Sequence, residues 1–126
     1  MFELTIKDTV YNFRFGLGFV REIEKSRKEK DENGNMQDVG LAYAVASLID
    51  ENPVELVKIL DIANKTEKPR VTRELLDSYI EDESTDLESL CADILDFFKR
   101  ANSTKKKTLA VIELIEKEQA KRAASE

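Results

Sequence analysis

Histidine is absent from this 126-residue sequence, and cysteine occurs once, at Cys91. Without histidine, the chain lacks the side chain that most often serves as a general base and as a metal ligand near neutral pH. A single cysteine forms neither an intramolecular disulfide nor a zinc site built from several cysteines. We therefore expect a protein that is not an enzyme and that holds no metal or cofactor, and the cysteine content fits a reducing cytosol.

Basic residues are in the minority, with 20 lysines and arginines against 26 aspartates and glutamates, so the net charge is -6. Nucleic-acid binding depends on clustered basic side chains. The run Lys105, Lys106 and Lys107 has no interleaved aromatic residues on which bases would stack, and we interpret it as a solvated segment. The sequence therefore predicts no nucleic-acid partner.

Long apolar runs are also missing from the sequence. No stretch approaches the roughly 20 apolar residues that a membrane-spanning helix needs. Met1 leads into an alternating pattern and not into the basic and apolar segments of a secretion signal. We expect no membrane partner and a cytoplasmic location.

Carboxylates occur in groups, but the sequence offers them no shared pocket. The run Glu81, Asp82 and Glu83 has the residue types of a metal site, yet carboxylates at helix ends are ordinary solvated features. Asp93 and Asp96 form a pair without a nucleophile to serve. We interpret both groups as surface charge.

The remaining composition is that of a helix-rich globular protein, 41% hydrophobic and 37% charged. A chain of this length is expected to fold as one domain with a core of its own. The predicted fold is mainly α, an α+β fold dominated by helices, with an N-terminal β-hairpin followed by a bundle of about five to six helices. We expect a single domain at 1–126, with the hairpin at about 2–15, the helical body at about 17–117 and a frayed C-terminal tail.

The N-terminal hairpin is predicted from the segment "FELTIKDTVYNFRF", in which apolar and polar residues alternate in two runs. A loop at Asp8 and Thr9 places Phe2 opposite Phe15. A loop at Lys7 and Asp8 shifts the register and keeps the same apolar face. Because a lone hairpin is marginal in water, this face must pack on helices or on another copy of the chain.

Two glycines follow the hairpin in the sequence. Gly16 and Gly18 permit the unusual dihedrals or close approach by which a strand turns into a helix, and Phe19 continues the apolar stripe on that helix. The polar segment "DENGNMQD" then predicts a loop around Gly34. The residues to which we assign a structural or self-association role are Phe2, Leu4, Phe13, Phe15, Gly16, Gly18 and Phe19.

The remaining helices are predicted from caps and apolar spacing. The segment "VGLAYAVASLID" predicts a closely packed helix, and Asn52 precedes Pro53 as the N-cap of the next one. Thr72 is the predicted cap of a short helix, while Thr85 and Glu88 have the spacing of a capping box. The last helical run is apolar on most sides. Together with the aromatic hairpin, it leaves more apolar surface than a small bundle hides, which predicts self-association or a protein client.

The chain also resembles a known family in four segments, "FELTI", "YNFRFGLGFVREIE", "GLAYAVASLIDENPVELVKILDIAN" and "LESLCADILDFFKRAN". Over roughly its first hundred residues, it resembles the tail assembly chaperones of long-tailed phages that infect Gram-positive bacteria, including lactococcal phages. Members often carry an Asn-Gly-like hairpin turn, where this chain has Lys7, Asp8 and Thr9.

The resemblance implies a chaperone without enzymatic activity, which binds and solubilises the tape measure protein during tail morphogenesis. It implies a location in the host cytoplasm, absence from the mature virion and self-association into rings or spirals, with the major tail protein as a further partner. A chaperone for amphipathic helices needs apolar grooves. The candidate partner-binding residues are Phe97, Phe98, Leu109, Ile112 and Ile115.

Two other functional classes stay open at this point. A virion structural protein, such as a head-tail connector, would use the hairpin for subunit contacts and would copurify with finished particles. A small helical regulatory protein would need a basic recognition helix, for which the run at residues 105–107 is a poor candidate.

Overall fold

The computed structural model describes residues 2–125. Within them, two short antiparallel hairpins and six helices are present, which confirms the predicted fold class. The strands are β1 (Phe2–Ile6), β2 (Thr9–Phe13), β3 (Lys28–Lys30) and β4 (Met36–Asp38). The helices are α1 (Leu17–Lys25), α2 (Gly40–Ile49), α3 (Pro53–Asn64), α4 (Arg73–Glu81), α5 (Leu87–Arg100) and α6 (Lys105–Ser125).

The first hairpin adopts the second of the two predicted registers, in which Phe2 pairs with Phe13 and Ile6 pairs with Thr9. Lys7 and Asp8 form the turn, and both have positive φ angles, of 49° and 66°. This combination is typical of a type I′ turn, whose twist matches that of the flanking strands. The strand ends at Phe13, so Phe15 lies in the connection to α1 and has no strand partner.

The predicted burial of the hairpin's apolar face is confirmed, because Ile6, Tyr11 and Phe13 are all buried. They join one cluster of buried side chains to which α1 to α5 also contribute. Phe2 and Leu4, nearer the open end of the hairpin, are partly buried against this cluster. The protein therefore covers most of the hairpin face with its own helices.

A second hairpin lies where the sequence predicts a polar loop. Strand β3 pairs with β4, and the carboxylate of Asp31 closes the turn by accepting hydrogen bonds from the amides of Asn33 and Asn35, both at 2.9 Å. Gly34 has a φ of 82°, which glycine adopts without strain. Every side chain in both strands is exposed. The predicted loop around Gly34 is present at residues 31–35, but the two short strands that flank it were not predicted, because their exposed side chains show no apolar alternation.

The glycine that the fold requires is Gly40, whereas the sequence pointed to Gly16 and Gly18. Gly16 has an ordinary negative φ of -93°, and a Cβ atom at Gly18 would meet nothing within 4 Å. At Gly40, a Cβ atom would lie 1.5 Å from the carbonyl oxygen of Ile23. The strand does turn into α1 at Gly16, the N-cap of that helix, and a Cβ atom there would lie 3.3 Å from the flexible side chain of Arg14. The close backbone approach, however, is between α1 and the start of α2.

The predicted N-caps at Asn52 and Thr72 are confirmed. Asn52 accepts from the amides of Val54 and Glu55, and Thr72 accepts from the amide of Leu75.

The predicted cap at Thr85 was wrong. Asp86 caps α5 by accepting from the amide of Ser89 at 3.1 Å, while the Thr85 hydroxyl donates to the Tyr79 carbonyl oxygen at 2.6 Å. Adjacent threonine and aspartate are both good caps, so spacing alone did not separate them.

Helix α6 is longer than the sequence predicts, because it continues past residue 117 to Ser125. Its first half packs on α2 and α5, with Thr108 buried, and Thr104, just before the helix, is buried as well. Every residue from Glu116 to Ser125 is exposed. The second half of α6 therefore has no contact with the body that would bury a side chain.

Candidate partner-binding surface

All six phenylalanines of the chain form one connected cluster at the exit of the first hairpin. Phe15 is its centre, with ring centroids 5.1 Å from Phe19, 5.5 Å from Phe97 and 5.1 Å from Phe98. Most of these pairs are tilted or edge-to-face, the geometry that aromatic rings prefer. Residues far apart in sequence thus join the hairpin to the end of α5.

Backbone hydrogen bonds hold the hairpin exit in place. The amide of Arg14 donates to the carbonyl oxygen of Ala63 at 2.8 Å, and the hydroxyl of Ser103 donates to the carbonyl oxygen of Phe15 at 2.6 Å. The first bond reaches α3 and the second reaches the turn between α5 and α6. Phe15 is therefore fixed by its backbone as well as by its ring.

Asn64 is a further anchor of the hairpin exit. Its side chain is completely buried, and its amide nitrogen donates to the carbonyl oxygens of Asn12, at 2.9 Å, and Pro69, at 3.2 Å. Its amide oxygen accepts from Arg70 at 3.0 Å and from the amide of Val71 at 2.7 Å. Each hydrogen-bonding position of the side chain is thus used. No sequence signal marks this role, since asparagine at a helix end is common.

An apolar groove of about 510 Å³ opens beside the phenylalanine cluster. We call it the phenylalanine groove, and it is lined by Phe13, Arg14, Phe15, Gly16, Phe97 and Ala101. Phe97 is partly exposed in it, whereas Phe98 is fully buried among Phe15 and Phe19. Of the two candidate residues at the end of α5, Phe97 lies at an open surface and Phe98 lies in the core.

A second apolar surface follows α6, and we call it the α6 stripe: Leu109, Ile112 and Ile115. Residues three apart on a helix are turned by roughly 60° from one another, so the stripe winds around α6. Leu109 is 52% exposed, while Ile112 and Ile115 are partly buried. The stripe therefore runs from the solvent side of α6 toward the side that packs on the body. Leu114, 61% exposed, lies outside the stripe, roughly 140° from Leu109.

A third apolar surface lies between α3 and α4, and the sequence analysis missed it. Its lining includes the apolar residues Val54, Val57 and Ile80 and the charged residues Arg73, Asp77 and Glu81, and its volume is about 450 Å³. Val54 is 79% exposed, more than any other large apolar side chain among the described residues. The sequence signal was Val54 itself, an apolar residue in the first turn of α3 that is not among the buried residues of that helix.

Titratable side chains with a shifted pKa include a buried thiol and a helix cap. Burial, followed by the nearby negative charge of Glu51, raises the pKa of the Cys91 thiol to about 11, so the thiol stays protonated and unreactive. Hydrogen bonds from Ser89 lower the pKa of the Asp86 carboxyl group, as expected for the N-cap of α5. Within residues 2–125, histidine, cysteine and carboxylate side chains nowhere gather in threes as metal ligands would. Over the same residues, no helix has the length and apolarity to cross a membrane.

The described residues thus leave three apolar surfaces open, at the phenylalanine groove, along α6 and between α3 and α4. The family model described as phage tail assembly chaperone protein, TAC, matches residues 3–113. The matched segment begins within β1, ends in the first half of α6 and includes five of the six phenylalanines of the cluster, all but Phe2. No curated protein and no solved structure matches the chain significantly. The match over most of the chain shows that this protein belongs to the phage tail assembly chaperone family.

Proposed function

We propose that this protein binds the tape measure protein of its phage and keeps it soluble during tail morphogenesis. It acts in the host cytoplasm as a homo-oligomer, has the major tail protein as a further partner and is absent from the mature virion. Family membership supports a chaperone role in tail assembly, and the family is not known for enzymatic activity. The observation that carries the proposal is the apolar surface left open on α6.

The α6 stripe is the proposed contact for the client. Amphipathic helices are recognised through anchors spaced three or four residues apart, which is the spacing of Leu109 and Ile112. By helical spacing, Glu113 and Glu116 lie on the same side of α6 as Leu109, and both are exposed. These charges keep the apolar stripe in solution until a client covers it.

Coexpression with the tape measure protein of the same phage tests this proposal. We expect the client to be soluble and to elute with this protein, and we expect Leu109→Asp to reduce the recovered complex by about tenfold or more, because a charge would enter an apolar contact. Leu114→Asp is the matched control, since it places the same charge at a similarly exposed leucine on the other flank. Both variants should unfold cooperatively, because neither leucine is buried.

Two outcomes would contradict separate parts of the proposal. If the tape measure protein is equally soluble without this protein, the client assignment fails. If Leu109→Asp and Leu114→Asp behave alike, the assignment of the α6 stripe fails and the client assignment stands. Mass spectrometry of purified virions tests the third part, because a stoichiometric amount of this protein in the particle would indicate a structural role.

A further inference from the structure

Charge is segregated along the C-terminal half of the chain. Residues 74–98 contain nine acidic and no basic residues, whereas residues 99–107 contain five basic and no acidic residues. Helix α5, Leu87–Arg100, begins within the acidic stretch and ends in the basic one, and its 14 residues span about 21 Å. The molecule thus has an acidic end, where α4 meets α5, and a basic end, where α5 meets α6.

Each end also carries an open apolar surface. At the acidic end, Val54 is exposed beside Asp77 and Glu81, which line the groove between α3 and α4. Arg73 also lines this groove, but its charge is paired with the carboxylate of Asp61 at 3.3 Å. At the basic end lies the phenylalanine groove, with Arg14 in its lining. Lys105 is adjacent to this groove, since its amide donates to the carbonyl oxygen of Ala101, a lining residue, at 2.8 Å.

The charges at both ends are locally unfavourable in a single copy. Helix α4 has no basic residue in its last turn and ends at Glu81, although a helix C-terminus favours positive charge. Asp77 and Glu81 are also like charges four residues apart on one helix. Helix α6 begins with three lysines and has no acidic residue in its first turn, where negative charge is favoured.

Within residues 2–125, no ion pair compensates the charge at these positions. Asp77, Glu81 and Lys105 take part in none of the salt bridges that the described residues form. An opposite charge from outside the molecule would therefore stabilise each end.

We infer that two copies of this protein associate head to tail, with the acidic end of one copy docked on the phenylalanine groove of the next. Val54 is the apolar contact at the centre, and Glu81 faces the basic rim formed by Arg14 and Lys105. The occupant is a second copy because both complementary surfaces belong to the same chain. A head-to-tail contact leaves one free surface at each end, so repetition closes a ring or extends a spiral. The inference deepens the homo-oligomeric part of the proposed function and does not involve the client.

Light scattering at low and high salt gives the first test. We expect association at 20 mM NaCl that weakens by about tenfold or more at 500 mM NaCl, because the Debye length falls to a few ångströms. Association that stays unchanged or strengthens with salt would overturn the inference, as would a monomer at every concentration.

Two charge variants test the partners directly. Glu81→Lys alters the acidic end, and Arg14→Glu with Lys105→Glu alters the basic end. Each variant alone should lose association, whereas an equimolar mixture should regain it, because the intact groove of one variant meets the intact acidic end of the other. If both variants lose association and the mixture does not recover it, the contact is not head to tail.

Loss of folding does not explain the expected result. Glu81→Lys and Lys105→Glu each place the favoured charge at a helix terminus, so the monomers should be at least as stable as the wild type. Controls with matched charge change are Glu118→Lys and the pair Lys30→Glu with Lys121→Glu, all at exposed positions. The controls should associate like the wild type, and loss of association in them would overturn the inference. The test contains no client, so its failure leaves the proposed binding of the tape measure protein standing.

Discussion

Gly40 approaches the carbonyl oxygen of Ile23 so closely that a Cβ atom at residue 40 would lie 1.5 Å from that oxygen. Beside this contact, the carboxylate of Glu24 accepts a hydrogen bond from the amide of Leu41 at 2.8 Å. Helix α2 has no side-chain cap of its own, so Glu24 supplies one from α1. The two contacts fix α1 against the start of α2.

Gly40→Ala should therefore destabilise the protein by about 3 kcal/mol or more, since the two helices must separate to admit the methyl group. Gly18→Ala is the control, because a methyl group there meets nothing within 4 Å and alanine favours the helix. The control should raise stability by about 0.5 to 1 kcal/mol. Urea denaturation measures both changes, and equal stability of Gly40→Ala and wild type would contradict the close contact.

Replacement of the buried Asn64 should be costly as well. Asn64→Ala leaves the amide of Val71 and the carbonyl oxygen of Asn12 without this partner, and each unsatisfied buried group costs about 1 to 3 kcal/mol. We expect a total loss of about 3 kcal/mol or more, measured by chemical denaturation. Asn102→Ala, at an exposed asparagine, should change stability by less than about 0.5 kcal/mol. If the two variants lost similar amounts of stability, the hydrogen-bond network around Asn64 would be contradicted.

The turn of the first hairpin offers a stabilising change. Lys7 and Asp8 both adopt positive φ, a conformation that favours asparagine and glycine. Replacing the pair with Asn-Gly should raise the free energy of unfolding by about 1 kcal/mol, because the strain at two left-handed positions is relieved. Thermal denaturation followed by circular dichroism would show the rise. Lower stability would indicate a turn of another type.

The sequence predicted those parts of the fold that have local signals. The caps at Asn52 and Thr72 follow from the residue next to a helix, so they were correct. The cap at Glu24 and the contact at Gly40 join residues that are distant in the sequence, and no local pattern reveals them. The hairpin closed by Asp31 has two wholly exposed strands that show no apolar alternation.

The candidate surfaces also combine features that the sequence indicates with features that depend on the folded structure. The sequence placed Phe97 and Phe98 together on an apolar helix end, but Phe98 points into the core and Phe97 lines a groove. Periodicity indicated an apolar α6 correctly, yet the exposure of Leu109 depends on how α2 and α5 cover the helix. Val54 was overlooked because exposure of a single apolar residue is visible only once its neighbours are placed.

Cys91 should resist thiol reagents in the folded protein. It is 2% exposed and its pKa is raised to about 11, so only roughly one thiol in a thousand is ionised at pH 8. We expect labelling with a chromogenic disulfide only after unfolding in urea. The control is Cys91→Ala with Ala92→Cys, which moves the thiol to the exposed neighbouring position and should label at once. Rapid labelling of the native wild type would show that this part of the core opens.

The same thiol should make stability depend on pH in alkaline solution. The folded protein holds the Cys91 proton up to a pKa of about 11, whereas the unfolded chain releases it near the ordinary thiol pKa of 9.0. Between these values the unfolded state binds fewer protons than the folded state. The contribution of the Cys91 thiol to stability is therefore fully present below about pH 9 and is lost as the pH rises toward 11. Cys91→Ala removes this contribution while other groups still titrate. We therefore expect the stability of the wild type to fall more steeply than that of the variant from pH 8 to 11, and parallel curves from urea titrations would contradict the raised pKa.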